Sequence, residues 1–265
     1  MNIWLQKSIE LANQSNYLDL LYKIYPMSSN LRRELSKSTK DKIRNLFLNQ
    51  ETKELFQLLL KQEIFPIKDS YVAYLKIDKT AIDRNPNTVN RLMNIIYSMD
   101  LEDVFDKLST PKETNRQIGP LFKNWLNQKT IGCEVTDNEE IFLKYQGNII
   151  FNSSDNIMKE FAHKHLGYDR NKGLDFIAKF NNKYIIGEAK FITHNGGHQN
   201  AQYADAIATL KSKLRDVGKE VIPIAILDGV LFIKRRNKMH KELITDVKDE
   251  IILSSVLLCD FLYSL

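Results

Sequence analysis

Cysteine, proline and glycine are all scarce in this chain of 265 residues, with 2, 6 and 10 copies respectively. The cysteines, Cys133 and Cys259, lie far apart and form no CxxC pair, which argues against a disulfide scaffold or zinc knuckle and for a reducing cytoplasm. With so few glycines and prolines, few stretches read as flexible linkers, and neither an internal repeat nor a low-complexity tract is present. No run reaches the roughly 18 uninterrupted apolar residues of a membrane span, so no membrane partner is expected. The opening MNIWLQKSIELANQSNYLDLL lacks a basic segment followed by a long apolar one, so no secretion signal is expected either.

What is present is a globular balance. Hydrophobic residues make up 43% and charged residues 27%, which excludes a disordered or fibrous chain. The length suits one large domain or a compact pair. A net charge of +5 is compatible with a polyanionic partner but does not identify one. The apolar tail 251–265 alternates like an amphipathic helix and reads as core or subunit interface.

Residues 1–130 read as a mainly helical region for recognition, dimerisation or core support, and 131–265 as the core with a C-terminal helix. Apolar residues recur at helical spacing in 3–11, 18–24, 43–48, 55–60 and 89–99, and a further helix is expected over 119–127. Pro86 within Asn85-Pro86-Asn87 marks a turn before the 88–99 helix. Ser70–Ile77 (SYVAYLKI) is the one strand expected there. After residue 130 the pattern changes. Strands are expected at 141–145 and 148–151, then a helix N-capped by Ser154 and closed by Gly167. Strands over 174–180 and 183–191 flank Asn181-Asn182, residues that tolerate the positive φ of a tight hairpin. A long helix is expected over 199–217, closed by Gly218, then a strand at 221–227, a turn at Asp228-Gly229 and a strand at 230–233. This order predicts an α/β fold, a mixed central sheet flanked by helices on both faces.

The hairpin carries the chemistry. Any symmetric loop centred on Asn181-Asn182 pairs Phe180 with Lys183, Ile177 with Ile186, and Asp175 with Glu188. Side chains alternate along a strand, so Lys190 shares the face of Glu188 and Ala189 points the other way. Facing residues have Cβ atoms about 4.5–5.5 Å apart, where two like charges repel. Phe176, Ile177, Phe180, Ile185, Ile186 and Phe191 put apolar groups on both faces around them. A partly desolvated acid pair of this kind calls for a compensating cation. Mg²⁺ suits it, being hard and content with one or two carboxylates plus water and phosphate oxygens. Lys190 adds a donor that can orient a water or stabilise a phosphate.

Asp175-x12-Glu188-Ala189-Lys190 resembles the PD-(D/E)xK nuclease motif of type II restriction endonucleases. The likeness covers residues 150–230 and includes the order helix, Asp strand, ExK strand, helix, strand. Gly173-Leu174 stands where the family's name has proline. The resemblance implies a restriction endonuclease-like fold in which Asp175, Glu188 and the backbone carbonyl of Ala189 hold Mg²⁺, with Mn²⁺ able to substitute, and Lys190 serves the nucleophile. It also implies that a carboxylate on the preceding helix, Glu160, assists the metal; the alternative is a solvated residue pairing with Lys164 one turn on.

Two further segments are candidates for DNA contact. The run 193–202 places His194, Asn195, His198, Gln199, Asn200 and Gln202 around Gly196-Gly197, just before a helix whose N-terminus attracts phosphate. Its alternative is a capped loop, with His198 or Asn200 satisfying the helix end. Lys234, Arg235 and Arg236 open the sharpest basic cluster, which suits either phosphate or a solvated edge. The expected function is a sequence-specific, double-stranded DNA endonuclease of type II restriction type, working as a homodimer beside a cognate methyltransferase. The rivals are a repair or recombination nuclease on the same core and a non-catalytic DNA-binding regulator.

Overall fold

Among the described residues six strands form a single mixed sheet, side by side in the order in which they occur along the chain. The computed structural model describes residues 1–13, 16–27, 34–110, 117–234 and 238–265. The chain opens with α1 (Ile3–Ala12) and α2 (Tyr17–Ile24). It then builds a separate helical unit, Ser28–Glu113, from α3 (Lys37–Leu48), α4 (Thr52–Leu60), α5 (Ser70–Ile77), α6 (Ala81–Arg84), α7 (Pro86–Tyr97) and α8 (Leu101–Leu108). It returns as α9 (Ile118–Asn127), β1 (Glu134–Thr136), α10 (Glu139–Lys144), β2 (Ile149–Phe151) and α11 (Asp155–His165). The hairpin β3 (Phe176–Phe180) and β4 (Lys183–Ile192) follows, then α12 (Gly197–Leu210), β5 (Val221–Gly229), α13 (Lys238–Thr245), β6 (Ile252–Leu253) and α14 (Leu258–Tyr263). Among the described residues no helix is long and apolar enough to cross a membrane.

β1 runs parallel to β2, β2, β3 and β4 are successively antiparallel, and β5 and β6 join in parallel. Alternation then assigns the two faces. Phe176, Ala178, Phe180, Ile185, Ile224 and Ile226 point into one apolar cluster with α2, α9 and α14. Ile177 and Ile186 pack against α11 on the other face. Ile192, Ala225 and Leu227 continue that second face beneath α1, α12 and α13. Strands buried on both faces read as continuous apolar runs, as these do.

The contacts divide the chain near residues 28 and 113 rather than at 130. Leu21 and Ile24 of α2 and Phe122 and Leu126 of α9 share a cluster with the sheet, so these helices belong to the core. The separate unit has its own core, in which Leu55, Phe56, Leu92 and Met93 are buried.

Several expected elements differ. Ser70–Ile77 is helical, because Asp69 caps it by accepting from the Tyr71 N–H at 2.9 Å and the buried Val72 and Leu75 are one turn apart. Most of 141–145 lies in α10, whose start is capped by Asn138 accepting from the Ile141 N–H at 3.0 Å. The helix expected to reach Val217 ends at Leu210. Beyond it Leu214 bridges to Tyr168 and the Arg215 N–H donates to the Gly167 carbonyl at 2.8 Å, which redirects the backbone bonds. Residues 230–232 form a short 3-10 turn rather than a strand. Gly229 causes it: its φ is +100°, and a Cβ there would lie 2.1 Å from the Ile192 carbonyl oxygen. The tail supplies β6 and α14, with Phe261 and Leu262 in the core.

A fully buried carboxylate ties these pieces together. Asp228, the next-to-last residue of β5, accepts from the hydroxyls of Tyr17 (3.3 Å), Tyr25 (3.1 Å) and Ser254 (2.6 Å) and from the Ser255 N–H (3.2 Å). Burial pushes its pKa up, and the hydrogen bonds from the two serines and Tyr25 oppose that rise. Removing the acceptor strands several buried donors at once. Asp228→Ala is expected to lower the unfolding free energy by about 3 kcal/mol or more, read as a lower urea midpoint. A midpoint within error of the parent overturns this role.

Candidate active site

The β3–β4 hairpin turns through Asn181 and Asn182, whose φ values are +48° and +65°. Its register pairs Phe180 with Lys183, Ile177 with Ile186 and Phe176 with Gly187. The ladder ends at that last pair, and the Asp175 N–H donates to the same Gly187 carbonyl at 3.1 Å, one step out of the register that would set it opposite Glu188. The two acids and Lys190 come together in space, with Asp175 just beyond the last paired residue of β3.

One ammonium spans the pair. Lys190 Nζ lies 2.8 Å from Asp175 Oδ2 and 2.6 Å from Glu188 Oε1. Asp175 Oδ2 also accepts from the Ala189 N–H at 3.0 Å. Glu188 has only 2% of its side chain exposed, and its second oxygen, Oε2, is buried with no hydrogen-bond partner. Burial first, and the Asp175 charge second, push the Glu188 pKa up to about 7, against the pull of Lys190 and Lys172. For Lys190, burial acts downward but the two acids outweigh it and hold its pKa above the usual lysine range. A buried carboxylate with a spare, unsatisfied oxygen fits a hard divalent cation.

Glu160 does not join the pair. It is exposed on α11, whose buried side carries Met158, Phe161 and Ala162, and among the described residues no group of three or more acidic, His or Cys side chains gathers to hold a metal. Its expected partner Lys164 binds Glu139 instead, at 2.8 Å.

The 193–202 run divides in two. Gln199 is fully buried, and its Oε1 accepts from the Thr193 N–H at 3.0 Å, so it braces the loop and is not free to read a base. No side chain caps α12, so neither His198 nor Asn200 satisfies its end. His194, Asn195, His198 and Asn200 are exposed, and Gln202 is half-buried with its Nε2 3.1 Å from His198 Nε2. Lys234 is exposed and lines a cavity with Gln6, Ile9 and Glu10 of α1, while Arg235 and Arg236 lie outside the described residues.

Sequence reasoning passed over a second charged group beside the acids. Lys172 Nζ lies 3.9 Å from Glu188 Oε1 and 2.8 Å from Asp205 Oδ2 on α12. Arg170 grips the same Asp205 at 2.6 Å and also donates to Thr209 Oγ1. His198, Gln202, Asp205 and Thr209 recur at helical spacing, so His198 and Gln202 lie on the side of α12 turned toward Arg170 and Lys172. The one local signal was the pair Arg170 and Lys172 directly upstream of Asp175.

The model of a family described as Tsp45I type II restriction enzyme matches residues 2–265 of the chain. No curated protein and no solved structure gives a significant match.

Proposed function

The chain belongs to the Tsp45I family of type II restriction enzymes and is a sequence-specific DNA endonuclease, and from that premise we propose that Asp175, Glu188 and Lys190 carry its cutting chemistry. The observation that supports this reading most is the buried, unpartnered Oε2 of Glu188 beside a second carboxylate. Enzymes of this kind generally use a divalent metal ion. Asp175, Glu188 and the Ala189 carbonyl would hold it here, and the oxygen-only donor set favours Mg²⁺, with Mn²⁺ as a substitute. When bound, that ion lowers the pKa of a water and offsets the charge of the phosphate.

The chain's own groups do the rest. Lys190, held beside both acids, serves as a donor that orients the water or steadies phosphate charge. The exposed side chains of His194, Asn195, His198 and Asn200, with Gln202, follow directly on the strand that carries Glu188 and Lys190, which suits contact with the DNA grooves or backbone. A homodimer suits cutting of both strands at a palindrome, and a methyltransferase of the same specificity protects the resident DNA. A DNA substrate and two unpaired cysteines suit the cytoplasm.

Incubation with phage DNA and Mg²⁺, followed by sequencing of the ends, tests the reading. Discrete fragments sharing one end sequence are expected. Cutting of branched or single-stranded DNA alone supports a repair nuclease, and retention of DNA without any cutting supports a regulator.

A further inference from the structure

We propose that Lys172 is a second cation of the cutting centre and donates to a phosphate of the strand being cut, with Asp205 and Arg170 as the residues that position it. The inference rests on the nuclease reading above. Lys172 lies 3.9 Å from Glu188 Oε1, within reach of its charge but too far for a hydrogen bond. Its close partner is Asp205 Oδ2 at 2.8 Å. An ammonium has three donors, so this partnership does not use them up. The side chain is 41% exposed, whereas Glu188 is buried, so the ammonium stays open to solvent beside the buried acid.

A merely structural role explains this arrangement poorly. Arg170 already neutralises Asp205 at 2.6 Å and donates to the Asp205 carbonyl at 3.2 Å and to Thr209, so the 169–174 loop is clamped to α12 without Lys172. A half-exposed ion pair adds at most about 1 kcal/mol. The backbone beside it is also constrained: a Cβ on Gly173 would lie 2.6 Å from the Cβ of Asp155 at the start of α11. The backbone next to Lys172 is therefore packed closely against the start of α11, while Asp205 holds the ammonium. Three cations, Arg170, Lys172 and Lys190, face three carboxylates, Asp175, Glu188 and Asp205. That set is balanced by itself, and a divalent ion gives it the positive surplus that a phosphate seeks.

Lys172→Ala, Lys172→Gln and Lys172→Arg in the full chain separate the two roles. Glutamine keeps a donor for Asp205 but no charge, whereas arginine keeps the charge. Single-turnover cleavage with Mg²⁺ of a duplex carrying a mapped cut site is expected to slow by about 100-fold in Lys172→Ala and Lys172→Gln and to recover in Lys172→Arg. In Ca²⁺, the dependence of log K on log salt for the same duplex is expected to flatten by about one phosphate contact in the first two variants only. Thermal unfolding reports whether each variant is folded. Rescue by glutamine but not by arginine overturns the proposal in favour of a structural role. Parental cutting and an unchanged salt slope in Lys172→Ala overturn it too. If Asp175→Ala is inactive in that same assay, the nuclease reading survives. If the parent cuts nothing with any divalent ion, both fall.

Discussion

Asp175→Ala and Lys190→Ala are each expected to reduce Mg²⁺-dependent DNA cleavage by at least about 1,000-fold while leaving binding in Ca²⁺ nearly unchanged. The asymmetry follows from where these groups sit. Asp175 has 17% of its side chain exposed and Lys190 20%, so neither offers much surface to the DNA. Their contacts run to each other, to Glu188 and to the Ala189 N–H. Losing either one therefore removes transition-state stabilisation with little loss of ground-state contact. Single-turnover gel assays and filter binding on one duplex provide the measurement. Cutting at the parental rate by either variant sinks the site assignment.

Glu188→Gln is expected to be inactive and yet, without metal, more stable than the parent above neutral pH. Burial and Asp175 push the Glu188 pKa from 4.5 to about 7, so the folded protein holds that proton more tightly than the unfolded chain. The resulting contribution to stability is complete below about pH 4.5 and is lost as pH rises through 7. By pH 8 the loss is on the order of 3 kcal/mol, which is large beside the stability of a typical domain. Glutamine mimics the protonated side chain and escapes the loss. Melting curves with a chelator are expected to separate by several degrees at pH 8 and to converge near pH 5. Added Mg²⁺ raises the melting temperature of the parent at pH 8 and leaves Glu188→Gln where it was. A variant that melts below the parent at pH 8 contradicts the picture of a strained, cation-seeking carboxylate.

The acid pair was legible because the hairpin fixes the face of Glu188 and Lys190, and Asp175, just beyond the paired strand, reaches them through the Ala189 N–H and Lys190. Two asparagines at positive φ set the turn, alternation sets the face, and the register follows. The helix start at Ser154 was equally local, since its hydroxyl accepts from the Ile157 N–H, and Gly167 ends the segment at φ +69°. Ser70–Ile77 was misread because aromatic and branched residues suggest a strand, whereas the Asp69 cap outweighs that preference. Gln199 looked like a base reader by residue type, and only tertiary structure shows its carbonyl spent on Thr193. Lys172 and Asp205 meet across two elements, and no spacing along the chain announces that contact. The edge strand β1, only three residues long, gave no periodicity to detect.

The knot around Asp228 also imposes an order on events during synthesis. Tyr17 and Tyr25 leave the ribosome early, whereas Ser254 and Ser255 emerge long after Asp175, Glu188 and Lys190. The helical unit Ser28–Glu113, built from neighbouring segments, is complete while the rest of the chain is still being translated. β5, which flanks the strand of Glu188 from Tyr184 to Ile192, waits for its last anchors. A nascent chain thus carries Asp175, Glu188 and Lys190 before it carries the serines that complete the cluster around Asp228.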